Sequence, residues 1–147
     1  MKFRDKITEG HYYTEILIIL MGIFLFAASC KAQSKEEVYK ELIRQEVKHP
    51  DIVLAQAIKE SGWFKCTNCS LDHNNLFGLR YKKKYLEFDT WQESIARYKV
   101  FQDKRYDGTK DYLTFLDCVW IHSDGSCARY ATSENYTKEL KEILKQF

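Results

Sequence analysis

Residues 53–63 read Val53-Leu54-Ala55-Gln56-Ala57-Ile58-Lys59-Glu60-Ser61-Gly62-Trp63. The run is a short, mostly apolar helix that stops on a glycine. Val53 and Ala57 precede Glu60 by seven and three residues, which puts all three on one helix face. A carboxylate therefore projects from a small, partly apolar stripe in the last turn. Two effects push its pKa up. Burial disfavours the charged form, and the negative end of the helix dipole repels it. The dipole contributes only about 0.3–1 kcal/mol, less than one pKa unit, so desolvation has to do most of the shifting. A carboxyl kept protonated near neutrality is suited to protonating a departing oxygen. The alternative for a lone helical Glu is a solvated surface residue, and composition by itself favours that alternative.

Upstream, Pro50 opens this helix, which is expected from about Asp51 to Ser61. Ser34 and Glu37 have the spacing of a capping box and predict a helix running to about Lys48, with Tyr39, Ile43 and Val47 on one face. Downstream, residues 63–76 are polar and turn-rich. Residues 79–89 are expected to form a short hairpin around Lys82-Lys83-Lys84. Thr90 and Glu93 predict a second capping box, followed by Trp91, Ile95, Tyr98 and Phe101 at helical spacing. Gly108-Thr109 opens a further helix carrying Tyr112, Leu113, Leu116, Val119 and Trp120. His122 to Ala128 reads as a loop. A last helix from near Ser133 carries Tyr136, Leu140, Ile143, Leu144 and Phe147. The expected class is mostly α: five short helices and at most one short β-hairpin, in one domain of about 115 residues.

The full length of 147 residues leaves little room for a second domain. It is 45% hydrophobic and 15% aromatic, enough to bury a core. The aromatic surplus suits a core or a sugar-binding cleft, core being the simpler reading. Net charge is +2, with acidic and basic residues interleaved, and Lys82-Lys83-Lys84 reads as a solvated turn. Nucleic acid is not favoured as a partner.

Residues 1–32 read as an export signal: Lys2, Arg4 and Lys6, then the apolar run Ile16 to Ala28. The run is shorter than the roughly 20 residues needed to span a bilayer. Two processing sites compete. Ala27-Ala28-Ser29-Cys30 resembles a lipoprotein box with Cys30 lipidated, and cleavage after Ala32 is the rival. Either one leaves a domain over 33–147 in the cell envelope. Without Cys30 four cysteines remain, Cys66, Cys69, Cys118 and Cys127, an even number suited to disulfides in an oxidising compartment. Three pairings are possible, of which the sequence-local one, Cys66–Cys69 with Cys118–Cys127, is expected. A zinc site on Cys66 and Cys69, with His73 or His122, is the rival.

Four blocks carry a family resemblance. Ala57 to Trp63, then Asn74-Asn75-Leu76-Phe77-Gly78-Leu79, then Phe88-Asp89-Thr90-Trp91-Gln92-Glu93-Ser94-Ile95, then Tyr130-Ala131-Thr132 with Asn135-Tyr136, occur in the order seen in bacterial endo-β-N-acetylglucosaminidases. That family includes autolysins and flagellar-rod peptidoglycan hydrolases. Each block alone is weak, and four in order is a strong signal. The resemblance implies a lysozyme-like fold. It also implies hydrolysis of peptidoglycan glycan between N-acetylglucosamine and N-acetylmuramic acid, with no cofactor or metal. Glu60 inherits the role of general acid, and Tyr130 is expected beside it. Trp63, Asn75, Phe77, Gly78 and Tyr136 are the expected substrate-binding residues. The other reading of the Asn-Leu-Phe-Gly block is a tight turn with a core Phe, and Tyr136 also starts an apolar stripe. Many members carry a second carboxylate in a longer hairpin between the second and third blocks. Here only Arg80 to Glu87 fills that space, so Glu87 and Asp89 are the candidates. The substrate's acetamido group is an alternative nucleophile. A monomer is expected, touching membrane only through the signal or a lipid anchor. Lytic transglycosylase chemistry, a non-catalytic glycan-binding module, and a zinc or redox module are the competing functional classes.

Overall fold

In the computed structural model, which describes residues 33–146, the capping box at the start of the first helix, α1 (Lys35–Arg44), is formed. Glu37 N donates to Ser34 Oγ at 3.1 Å, and Ser34 N donates back to Glu37 Oε2 at 3.0 Å. The export signal, its two processing sites and Cys30 lie outside the described residues, as does Phe147. α1 ends before the expected Lys48. Glu46 N bonds Ile43 O and Val47 N bonds Leu42 O, with Glu46 left-handed at φ 56°. This is a Schellman turn with Glu where glycine is usual, so no glycine signalled it. The buried face also differs from the expected stripe. Val38 and Leu42 are buried, as is Val47 of the expected stripe, whereas Tyr39 is 37% and Ile43 53% exposed. Both pairs have i, i+4 spacing, and one residue of offset turns the helix face by about 100°.

α2 (Pro50–Glu60) starts with Pro at its first turn after a left-handed His49. Val53, Leu54, Ala55, Gln56, Ala57 and Ile58 are all buried, so the helix is covered all round rather than along one stripe. It packs against α1 and against the last helix, α5 (Tyr136–Leu144). Its end is a second Schellman turn: Trp63 N bonds Ile58 O at 2.8 Å and Gly62 N bonds Lys59 O at 3.3 Å. Gly62, Trp63 and Phe64 are successively left-handed, at φ 55°, 61° and 57°. Buried Ser61 braces this turn, donating to Ala57 O at 2.6 Å and accepting from Phe64 N at 3.0 Å. The Cys66–Cys69 disulfide and a single 3₁₀ turn over Ser70–His73 follow.

Strands β1 (Arg80–Tyr81) and β2 (Lys84–Tyr85) form the expected hairpin, Arg80 opposite Tyr85. Its tip is Lys82-Lys83, both at positive φ. α3 (Trp91–Arg105) buries Ser94, Ile95, Tyr98 and Gln102. The expected Thr90/Glu93 capping box is not formed. The Thr90 hydroxyl makes no capping bond, while Glu93 Oε2 accepts from Asp89 N at 3.2 Å. α4 is shorter than expected (Tyr112–Asp117) and is capped by Asp111, which accepts from Thr114 N at 3.1 Å. Gly108 and Thr109 belong to the preceding turn, held by Asp107. Val119 and Trp120 leave the helix, and Trp120–Ile121 (β3) pairs with Cys127–Ala128 (β4) in a second small hairpin. Cys118–Cys127 clasps it, so both disulfides follow the sequence-local pairing. The described residues thus hold five α-helices and two two-stranded hairpins, one more than expected because Cys127 and Ala128 of the expected loop pair with Trp120 and Ile121; the mostly helical class holds. Much of the aromatic surplus serves the core: Phe64, Phe77, Tyr98, Tyr106, Tyr112, Phe115 and Tyr136 are buried.

Candidate active site

Glu60 is the last residue of α2, and its carboxylate lines a cleft of about 510 Å³. The cleft wall also takes Phe77, Gly78, Arg80, Arg97 and Tyr130. Glu60 Oε1 accepts from Tyr136 Oη at 2.9 Å. Oε2 lies against Gly78, where an added Cβ would come within 3.2 Å of it. Gly78 is left-handed at φ 61°, so the backbone conformation and the close approach both call for glycine.

Burial pushes the Glu60 carboxyl above its usual range. The Tyr136 hydrogen bond and the charges of Lys59 and Arg80 pull the other way without cancelling it. Desolvation is thus the leading cause, as the sequence argument required. Lys59 is itself paired with Glu139, from α5. The two tyrosines near Glu60 are pushed up by burial first, Tyr130 then by the Glu60 charge and Tyr136 then by Tyr130 and Glu60. Both stay phenols at neutral pH and serve as hydrogen-bond donors.

The two phenols take different places beside Glu60. Tyr136 is the one bonded to Glu60, and it is buried at 3% exposure, outside the cleft lining. Tyr130 lines the cleft, with its hydroxyl 3.4 Å from Phe77 O and no bond to Glu60. Phe77 serves both of its readings, lining the cleft while packing on Tyr98 at 4.3 Å between ring centroids.

Asn75 does not line the cleft. Its Nδ2 donates to Leu79 O at 2.8 Å and to Leu86 O at 2.9 Å, and its Oδ1 accepts from Leu79 N at 2.9 Å. A fully buried amide with these bonds holds the two sides of the first hairpin together beneath the cleft. Asn74 pins the next segment through Phe88 O and Asp89 O. Trp63 is also outside the lining, 43% exposed on the turn after α2. Glu87 and Asp89 are exposed and neither lines the cleft, which leaves Glu60 as its one carboxylate among the described residues.

Sequence reasoning singled out neither Arg80 nor Arg97. Arg80 sits on β1 with its guanidinium 4.2 Å from the Tyr85 ring centroid, and Arg97 looks like any helix-surface charge. Gln56 did leave a signal, a polar residue inside an otherwise apolar run. No group of three or more potential metal ligands occurs among the described residues. Cys66 and Cys69 are joined to each other, so they offer no thiolate pair and the zinc reading built on them does not stand.

Known proteins resemble this sequence at the family level. An autolysin of Enterococcus faecalis (strain ATCC 700802 / V583) is 24% identical over 157 aligned residues, covering 83% of this protein and 21% of the autolysin. The protein thus spans about a fifth of the autolysin's length. No solved structure matches. The glucosaminidase family model, described as mannosyl-glycoprotein endo-beta-N-acetylglucosaminidase, matches residues 36–147, nearly the whole of the described domain, and on that match the protein belongs to the glucosaminidase family of glycoside hydrolases.

Proposed function

We propose that this protein is an exported hydrolase of peptidoglycan glycan. It cuts the β-glycosidic bond between N-acetylglucosamine and N-acetylmuramic acid, with Glu60 as general acid. The observation that carries the reading is Glu60 itself: the one carboxylate of the cleft, held by a phenol and pushed up by burial. A protonated Glu60 gives its proton to the bridging oxygen as that oxygen leaves, and positive charge builds on the sugar. Arg80 and Arg97 make the cleft cationic, which suits the carboxylates of muramic acid and its peptides.

An inverting enzyme needs a second carboxylate about 6.5–9.5 Å from the first, and a retaining one needs it about 5–5.5 Å away. With Glu87 and Asp89 outside the cleft, the acetamido oxygen of the substrate is the better candidate nucleophile. Two disulfides fit an oxidising compartment and support export.

The test is incubation of the mature protein and its Glu60→Gln variant with sacculi, reading the released ends by mass spectrometry. New reducing N-acetylglucosamine ends, reduced at least about 10²-fold in Glu60→Gln, are expected. Anhydro-muramic ends would move the protein to the transglycosylases. Binding without release would make it a glycan-holding module.

A further inference from the structure

Behind Glu60 runs a file of buried polar groups that the proposed chemistry does not use. Tyr136 Oη, which donates to Glu60 Oε1, accepts from Gln56 Nε2 at 3.3 Å. Gln56 lies one helical turn before Glu60, on the same face of α2. Gln56 Oε1 accepts from Tyr98 Oη at 2.5 Å, and the Tyr98 and Tyr112 hydroxyls are 2.7 Å apart. Tyr112 Oη accepts from Gln102 Nε2 at 2.9 Å. Gln102 ends the file on backbone: Lys48 N donates to its Oε1 at 2.7 Å, and its Nε2 donates to Lys48 O at 2.8 Å. All five residues behind Glu60 are buried.

The anchored end sets the direction of every hydrogen. A backbone N–H only donates and a backbone carbonyl only accepts, so the Gln102 amide has one orientation. Its other N–H meets Tyr112, whose own hydrogen then goes to Tyr98. Tyr98 donates to Gln56 Oε1, which turns the Gln56 NH₂ toward Tyr136. The Tyr136 hydroxyl, already accepting, has its hydrogen left for Glu60. With the Gln56 amide reversed, Tyr136 would donate to the Gln56 carbonyl and leave Glu60 Oε1 bare.

We propose that Gln102, Tyr112, Tyr98 and Gln56 form a one-way hydrogen-bond relay that positions the acid. It holds Tyr136 as donor to Glu60 Oε1, and so confines the transferable proton to Oε2, the oxygen against Gly78. None of the four lines the cleft, so they are positioning residues. The proposal rests on Glu60 being the acid, but its first test does not use activity. The charged and titratable groups around Glu60 are Tyr136 on α5, Tyr130 before it, Arg80 on β1, Lys59 on α2 and Arg97 on α3.

The carboxyl ¹³C resonance of Glu60, assigned by its loss in Glu60→Gln, is titrated in wild type, Tyr98→Phe, Tyr112→Phe and Tyr106→Phe. Tyr106 is a buried phenol outside the relay, bonded to Lys110 O at 2.8 Å, and controls for ordinary loss of stability. Tyr98→Phe frees the Gln56 amide to reverse and takes a hydrogen bond from the charged form of Glu60, so its midpoint rises by about one pH unit. Tyr112→Phe, which leaves Tyr98 still donating to Gln56 Oε1, shifts it the same way but less, Tyr106→Phe leaves it in place, and Tyr98→Phe adds nothing in a Tyr136→Phe background. On sacculi, kcat of Tyr98→Phe falls about tenfold with KM unchanged. An unmoved midpoint in both relay variants, or an equal shift in Tyr106→Phe, overturns the relay. A protein that titrates as expected yet releases no glycan ends keeps the relay and loses the hydrolase reading.

Discussion

Replacing Gly78 by alanine tests the geometry of the cleft with a single methyl group. The new Cβ would sit 3.2 Å from Glu60 Oε2, closer than ordinary van der Waals contact, so the carboxylate must yield by a few tenths of an ångström. It has little freedom to do so. Oε1 is tied to Tyr136, and rotating the carboxylate away from the methyl lengthens that bond. The alanine must also hold φ near 61°, which costs a non-glycine residue about 1–2 kcal/mol. For a domain of this size each kcal/mol corresponds to roughly 4–8 °C in Tm. Gly78→Ala is therefore expected to melt about 5–10 °C lower. A general acid misplaced by about 1 Å loses on the order of 10²-fold in rate, and this smaller displacement is expected to cost about 10-fold in kcat. Reducing-end release from sacculi, with thermal unfolding followed by circular dichroism, measures both. An alanine variant that keeps wild-type turnover and melting temperature would refute the claim that Gly78 is glycine because of Glu60.

Glu60→Gln is expected to fold normally while losing about 10²–10⁴-fold in turnover, judged by circular dichroism and end release. Its stability difference from wild type should depend on pH. The folded-state carboxyl is raised above its unfolded value, so wild type carries an advantage that is full below the unfolded pKa and lost as pH rises through the folded one. Urea midpoints of the two proteins should therefore diverge in favour of the variant as pH rises from about 4 through the raised Glu60 pKa, and a constant gap would contradict the burial of Glu60. Replacing Cys118 and Cys127 by serine opens a loop with a sequence separation of 9 residues and should cost about 2.5 kcal/mol in urea unfolding. The same change loosens the hairpin next to Val119 in the cleft wall, so KM for glycan should rise.

Local chemistry was legible in the sequence where a few adjacent residues decide the outcome. Ser34 and Glu37 form their box, Pro50 opens α2, Gly62 closes it, and neighbouring cysteines pair. Ambiguity came where the local rule has two solutions. Glu46 takes a left-handed turn that glycine usually marks, and Tyr39/Ile43 and Val38/Leu42 are equally good helical stripes. Packing of α1 on α2 and α3 selects between them. The resemblance singled out Glu60, Phe77 and Gly78, and all three line the cleft. Tyr130 lines the cleft and Tyr136 is core as well as partner to Glu60, a hydrogen bond the sequence could not show because the irregular segment between the two tyrosines decides which one reaches the carboxylate. Asn75 was found with a different task, since a motif does not say whether an amide faces a ligand or its own backbone. Arg80 and Arg97 carried no local mark at all.

The placement of α2 bears on how such a polypeptide is assembled. A helix buried on every side has no stable surface of its own, and α2 is covered by α1, which precedes it, and by α5, which is the last helix described. The phenol that grips Glu60 is the first residue of α5. A polypeptide emerging from its N-terminal end therefore presents Glu60 long before Tyr136, and the carboxylate gains its phenol partner only when α5 docks. Until that last helix has docked, the polypeptide carries the Glu60 carboxylate without the phenol that holds it, so the proposed chemistry would have to wait for the domain to close.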